Sequence, residues 1–142
     1  MVYNRGMRKA EWKTSGNAVY NTGYHFVWSV KYRRQVLRAP IDQTVKEILA
    51  EICQEKGVPL LGMEVMPDHI HIFVSARPRI SPAEIARFLR GSSARYLFQR
   101  HPELKRWLWG GHLWNPSYYV GTAGHVSAET IQKYIENQKV KG

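Results

Sequence analysis

Cysteine is almost missing from this chain: Cys53 stands alone among 142 residues. One thiol closes no internal disulfide and builds no cysteine-based zinc site, and a cytoplasmic location is expected. Long apolar runs are missing too. No stretch approaches the ~20 residues that span a bilayer, so no membrane association is expected. The N-terminal MVYNRGMRKAEWKTSGN carries no apolar core of the secretory kind. Acidic residues are scarce, 11 against 21 basic ones, for a formal charge of +10. A surplus of that size concentrates polyanions, and nucleic acid leads the expected partners.

What is present is globular: 44% hydrophobic and 12% aromatic residues, enough for one core without staples. Residues 1–19 are polar and basic without periodicity and read as an arm; residues 20–142 read as one domain. YHFVWSVKYR (24–33) is aromatic and β-branched, a first strand. From Ile41, the residues Val45, Ile48, Leu49 and Ile52 recur at helical spacing, with Pro40 before them and Gly57 after. Residues 58–66 read as a second strand, Pro67-Asp68 as a tight turn, and 69–75 as a returning third strand. Ser81, Pro82 and Glu84 form a capping box for a second helix with Ile85, Phe88, Leu89 and Tyr96 inward. Residues 112–122 contain a fourth strand, and Ser127 caps a last helix ending near Lys139. The order β-α-β-β-α-β plus a C-terminal helix implies an α+β, ferredoxin-like antiparallel sheet with helices on one side.

The chemistry begins at MPDHIHIFV. His69 and His71 flank Ile70, so on a strand both imidazoles share one face while Ile70 and Ile72 take the other. Two imidazoles are a partial metal shell that needs a further ligand; they are equally a pair of structural histidines. The last helix offers Tyr134 and Gln138, four residues apart and so on one helix face. A deprotonated tyrosine is a nucleophile and a glutamine carbonyl a neutral oxygen ligand, although Tyr134 alone reads as readily as a core residue. Arg87, Arg90, Arg95 and Arg100 form either a solvated basic face or phosphate contacts. Trp107, Trp109 and Trp114 are either core or contact residues, or faces for base stacking. Gly121 and Gly124 suit either a mobile tether before the last helix or an ordinary connection.

The segments YHFVWSVKYRRQVL, MEVMPDHIHIFV, LWGGHLWNPSYYV and IQKYIENQ, in this order over about 20–139, resemble the single-tyrosine HUH transposases, the TnpA type of the IS200-like family. His69-Ile70-His71 takes the place of that family's His, bulky hydrophobic, His motif. The resemblance implies a transposase that cuts and rejoins single-stranded DNA at hairpin-marked element ends. It implies Tyr134 as nucleophile through a 5′-phosphotyrosine, and His69, His71 and Gln138 as ligands of Mg²⁺ or Mn²⁺. A homodimer in which each chain's tyrosine helix completes the other's site is implied as well. Lys31, Arg33, Arg34, Arg87, Arg90 and Arg95 are then candidate DNA contacts. Tyr118 and Tyr119 match the family's strand motif rather than its nucleophile.

Two rivals stand beside this reading. One is a domesticated relative that cuts repeat-associated hairpins. The other is a non-catalytic RNA-binding module of the RRM kind, although its third strand should carry aromatic residues where DHIHIFVS stands.

Overall fold

Alternation along the first strand decides how the sheet is covered. Phe26, Trp28 and Val30 are fully or almost fully buried, while His25, Val27 and Ser29 between them point to the other face. The computed structural model describes residues 23–108 and 111–124. The N-terminal arm, Trp109 and the expected helix carrying Tyr134 and Gln138 lie outside the described residues.

The strands are β1 (Gly23–Ser29), β2 (Leu60–Met66), β3 (His69–Ser75) and β4 (Tyr119–Gly124). They form one antiparallel sheet in the order β2-β3-β1-β4. Helix α1 (Ile41–Lys56) links β1 to β2, and helix α2 (Pro82–Arg100) links β3 to β4. This is the ferredoxin-like α+β layout. Phe26, Trp28, Ile70, Ile72 and Val74 of the sheet share one core with Val45, Ile48, Leu49 and Ile52 of α1 and Ile85, Leu89 and Leu97 of α2. Each such side chain contributes about 1.5–3 kcal/mol on burial. Both helix ends follow from local chemistry. Gly57 ends α1 at φ 66°, a left-handed conformation that glycine adopts without strain, and the Ser81 hydroxyl accepts the Glu84 backbone N–H at 3.1 Å to start α2. Cys53 is buried in the core, which pushes its thiol up to about 12.

One expectation needs correction and two become sharper. The first strand stops at Ser29 rather than 33: Lys31–Arg33 is a 3₁₀ turn, with Tyr32 and Arg33 at φ 63° and 53°. There the chain leaves its strand partner. The Val30 N–H bonds to the Asp68 carbonyl at 2.9 Å and the Lys31 N–H to the Leu113 carbonyl at 2.8 Å. The fourth strand takes the end of the expected segment and runs on to Gly124, while Trp114 turns inward and packs edge-on against Trp28 at 5.7 Å. Gly121 and Gly124 belong to β4, so they form no loose tether. Gly121 leaves room for Tyr119, whose hydroxyl would overlap a Cβ at that position. A second 3₁₀ turn, Pro102–Trp107, follows α2 without having been expected. Among the described residues, no helix is long and apolar enough to cross a membrane.

Candidate active site on the histidine face of the sheet

The face turned away from the helices gathers the chemistry. In the β1–β3 register, His25 lies opposite Phe73, Val27 opposite His71 and Ser29 opposite His69. On the other side of β3, Glu64 faces His71 and Met66 faces His69. Tyr119 of β4 joins the same face opposite Val27. His69 and His71 therefore stand side by side, with ring centroids 5.1 Å apart, as the alternation of β3 requires. They open into a cleft of about 620 Å³ that Ser29, Arg33, Tyr118 and Tyr119 also line.

Each imidazole has a distinct Nδ1 partner. His69 Nδ1 lies 2.7 Å from Asp68 Oδ1, and Asp68 Oδ2 accepts from Arg33 Nε at 3.0 Å and Nη2 at 2.9 Å. Burial alone would raise the Asp68 pKa. Hydrogen bonds from His69 and Arg33, together with the Arg33 charge, outweigh it and hold the carboxyl below its ordinary value. His71 Nδ1 lies 3.1 Å from His25 Nε2. The His25 ring stacks on Phe73 at 4.2 Å and 7°, and Tyr119 meets it edge-on at 5.8 Å. Burial, and then the charge of His71, lowers the His25 pKa from 6.5 to about 4. Burial, and then the charge of His69, does the same for His71. Both rings are neutral at neutral pH, the state in which an imidazole ligates a metal. Among the described residues, no three histidine, cysteine or acidic side chains converge as a metal site. The pair supplies a partial shell, and the third expected ligand, Gln138, lies outside the described residues.

The candidate DNA contacts divide. Arg33 sits at the rim of the histidine cleft. Lys31, Arg87, Arg90 and Arg95 line a second cleft of about 630 Å³, between α2 and the 111–118 loop, and Tyr118 borders both clefts. Arg90 holds that loop: its guanidinium lies 5.0 Å from the Tyr118 ring centroid and donates to the Asn115 carbonyl. Arg34 lines a third hollow beside Trp107 instead. Arg100 reaches Glu47 and Glu51 of α1 at 3.7 and 3.4 Å, a helix–helix role rather than a site role. Trp107 is 53% exposed, whereas Trp114 is buried and donates from Nε1 to Ser93 Oγ at 3.0 Å.

Sequence reasoning missed His25 and Asp68. The signal for His25 was the alternation Tyr24, Phe26, Trp28, which puts His25 on the opposite face; that β1 lies beside β3 is the long-range fact that gives this face its meaning. Asp68 was read only as a turn residue, although it precedes a candidate ligand directly.

The IS200-like transposase family model matches residues 18–138. The chain is 44% identical over 131 residues to the ISDra2 transposase TnpA of Deinococcus radiodurans, covering 92% of this chain and 94% of the relative. It is 33% identical over 126 residues to the transposase for insertion sequence element IS200 of Salmonella typhimurium, covering 89% and 82%. A crystal structure of a candidate transposase from Deinococcus radiodurans superposes with a TM-score of 0.75 at 42% identity, over 89% of this chain and 97% of that one. A REP-associated tyrosine transposase bound to a REP hairpin shares the fold alone, with a TM-score of 0.56 at 13% identity over 83% and 64%. The family model and the two relatives set the RNA-binding rival aside, and the chain belongs to the IS200-like transposases, enzymes of DNA transposition.

Proposed function

We propose that the chain cuts and rejoins single-stranded DNA at the hairpin-marked ends of an insertion element, with Tyr134 as nucleophile. One observation supports this most: in a member of a transposase family, His69 and His71 share a cleft with an arginine at its rim. The deprotonated Tyr134 oxygen attacks the phosphorus at the cleavage site. The bond from phosphorus to the 3′ oxygen breaks, and that oxygen takes up a proton to become a 3′-hydroxyl. The DNA 5′ end remains joined to Tyr134 as a phosphotyrosine. Attack on that link by a 3′-hydroxyl of the same or another strand restores a phosphodiester and frees the tyrosine. One phosphodiester-level bond is kept throughout, so no external energy source is needed.

The donor chemistry fits a divalent ion, because two imidazoles present themselves on one strand face. His69, His71 and Gln138 are the proposed holders of Mg²⁺ or Mn²⁺, and the nitrogen donors favour Mn²⁺. When bound, such an ion supplies positive charge beside the phosphate, where negative charge grows during the displacement. Arg33 orients the site through Asp68, while the arginines of the second cleft are proposed to hold the phosphates of the flanking strand. The hairpin carried by the REP-associated neighbour supports a hairpin as substrate. The insertion-sequence relatives at 33% and 44% identity favour a mobile element over a domesticated repeat endonuclease. A homodimer whose sites are completed in trans is part of the proposal.

A second reading has an observation of its own: Tyr118 and Tyr119 line the histidine cleft, so either hydroxyl is a rival nucleophile. Incubation with hairpin-bearing single-stranded DNA and Mn²⁺, followed by a denaturing gel, separates the two. Tyr134→Phe should abolish the covalent adduct while Tyr119→Phe and Tyr118→Phe keep it; the reverse pattern transfers the role to β4 or its approach. For the dimer, mixing His71→Ala with Tyr134→Phe chains should restore cleavage. No recovery despite proven subunit mixing would leave each site within one chain.

A further inference from the structure

We infer that His25 is a positioning residue for the metal site: it accepts a hydrogen bond from the Nδ1–H of His71 and thereby leaves the His71 Nε2 lone pair for the ion. This inference rests on the metal-site reading above. The two ring nitrogens are 3.1 Å apart, a separation that requires one proton between them. A neutral imidazole carries a single N–H. Were His25 the donor, His71 would carry its own proton on Nε2, and the nitrogen pointing away from His25 would have no lone pair to give. Only the arrangement with His71 as donor is compatible with ligation.

The rest of the face keeps His25 in place to do this. Its ring lies flat on Phe73, 4.2 Å away and 7° from parallel, and Tyr119 closes against it from β4. Its backbone is locked opposite Phe73 in the sheet register. A ring clamped in this way cannot turn to follow His71, so it dictates the His71 orientation rather than adapting to it. His69 is held by different means. Its Nδ1 meets the Asp68 carboxylate at 2.7 Å, and an ionised carboxylate only accepts, so a proton sits on Nδ1. Nε2 is then the nitrogen through which either ring ligates an ion, each ring fixed by its own outer partner. Such outer partners set the tautomer and orientation of ligating histidines. One ligand leans on a carboxylate and the other on a neutral ring, so removing His25 affects His71 alone.

The test compares the full-length wild type with His25→Phe, which keeps a flat ring on Phe73 but accepts no hydrogen bond, and His25→Gln, whose side-chain carbonyl reaches about as far as Nε2. Two readouts are taken: Mn²⁺ affinity by calorimetry, and the His71 tautomer by long-range ¹H–¹⁵N correlation on metal-free protein. His25→Phe should weaken Mn²⁺ binding about 10- to 100-fold and move the His71 proton towards Nε2, leaving His69 unchanged. His25→Gln should restore most of the affinity and the Nδ1–H tautomer. Wild-type affinity and an unchanged His71 tautomer in His25→Phe would overturn the inference while leaving the metal site standing. Equal losses in both variants with a lowered melting temperature would also overturn it, in favour of a packing role. Absence of Mn²⁺ binding by the wild type would remove the metal-site reading and this inference together.

Discussion

Acid should loosen this fold before its carboxylates are protonated, and His25 and His71 are the reason. In the folded chain His25 and His71 titrate near 4, against 6.5 for a free imidazole. Between those values the unfolded chain binds protons that the folded chain refuses. The histidine contribution is therefore fully present above about pH 6.5 and is lost as pH falls towards about 4. A separation of about 2.5 pH units in one group corresponds to at most about 3.4 kcal/mol. His25 is only partly buried, and the two rings share one environment, so about 2–4 kcal/mol for the pair is the reasoned size. Against a typical total of about 5–15 kcal/mol, that is a loss easily measured. Asp68 does not blur the window, because its carboxyl is held below its ordinary value of 3.8 and protonates further down. Urea unfolding followed by tryptophan fluorescence at about pH 7, 5.5 and 4.5 reads the effect. The wild type should lose stability steadily across this range, and His71→Gln should lose distinctly less. Identical slopes in the two proteins, or a wild type indifferent to pH above about 4.5, would refute the reasoning.

Trp114→Ala should cost about 3–5 kcal/mol, since it empties a buried site against Trp28. Trp114→Phe should cost about 1–3 kcal/mol by leaving the Ser93 hydroxyl without its donor; urea midpoints within roughly 0.5 kcal/mol of wild type would contradict both. Replacing Arg87 and Arg95 together by alanine should make hairpin binding less salt-dependent, by about 0.7 in log–log slope for each single-strand phosphate that is no longer neutralised. An unchanged slope in a fluorescence-anisotropy titration would take the second cleft off the DNA path.

Local signals were the legible ones. The helix Ile41–Lys56 was readable because Pro40, the apolar spacing and Gly57 all act within a few residues of one another. The start of α2 was readable because Ser81 and Glu84 form one hydrogen-bonded unit. The shared face of His69 and His71 followed from strand geometry alone. What failed was set by distant partners. β-Propensity runs unbroken through SVKYR, yet the strand ends where Val30 and Lys31 bond to Asp68 and Leu113. Gly121 stayed open between a mobile tether and an ordinary connection because a sequence does not show that Tyr119 needs the empty space beside it. His25 is the clearest case: its importance comes from a β1–β3 register that brings it to His71, 46 positions away in the chain. For Tyr134 and Gln138, the spacing and the resemblance carry the argument.

The central claim is that Tyr134 becomes covalently joined to DNA while His69 and His71 serve the same reaction. Mapping the adduct by mass spectrometry, after digestion of protein and DNA, tests it most directly. The account predicts a nucleotide mass on the peptide that contains Tyr134, formed with Mn²⁺ and absent in both His69→Ala and His71→Ala. A nucleotide mass on the peptide containing Tyr118 and Tyr119, or an adduct of undiminished yield in the two histidine variants, would contradict it.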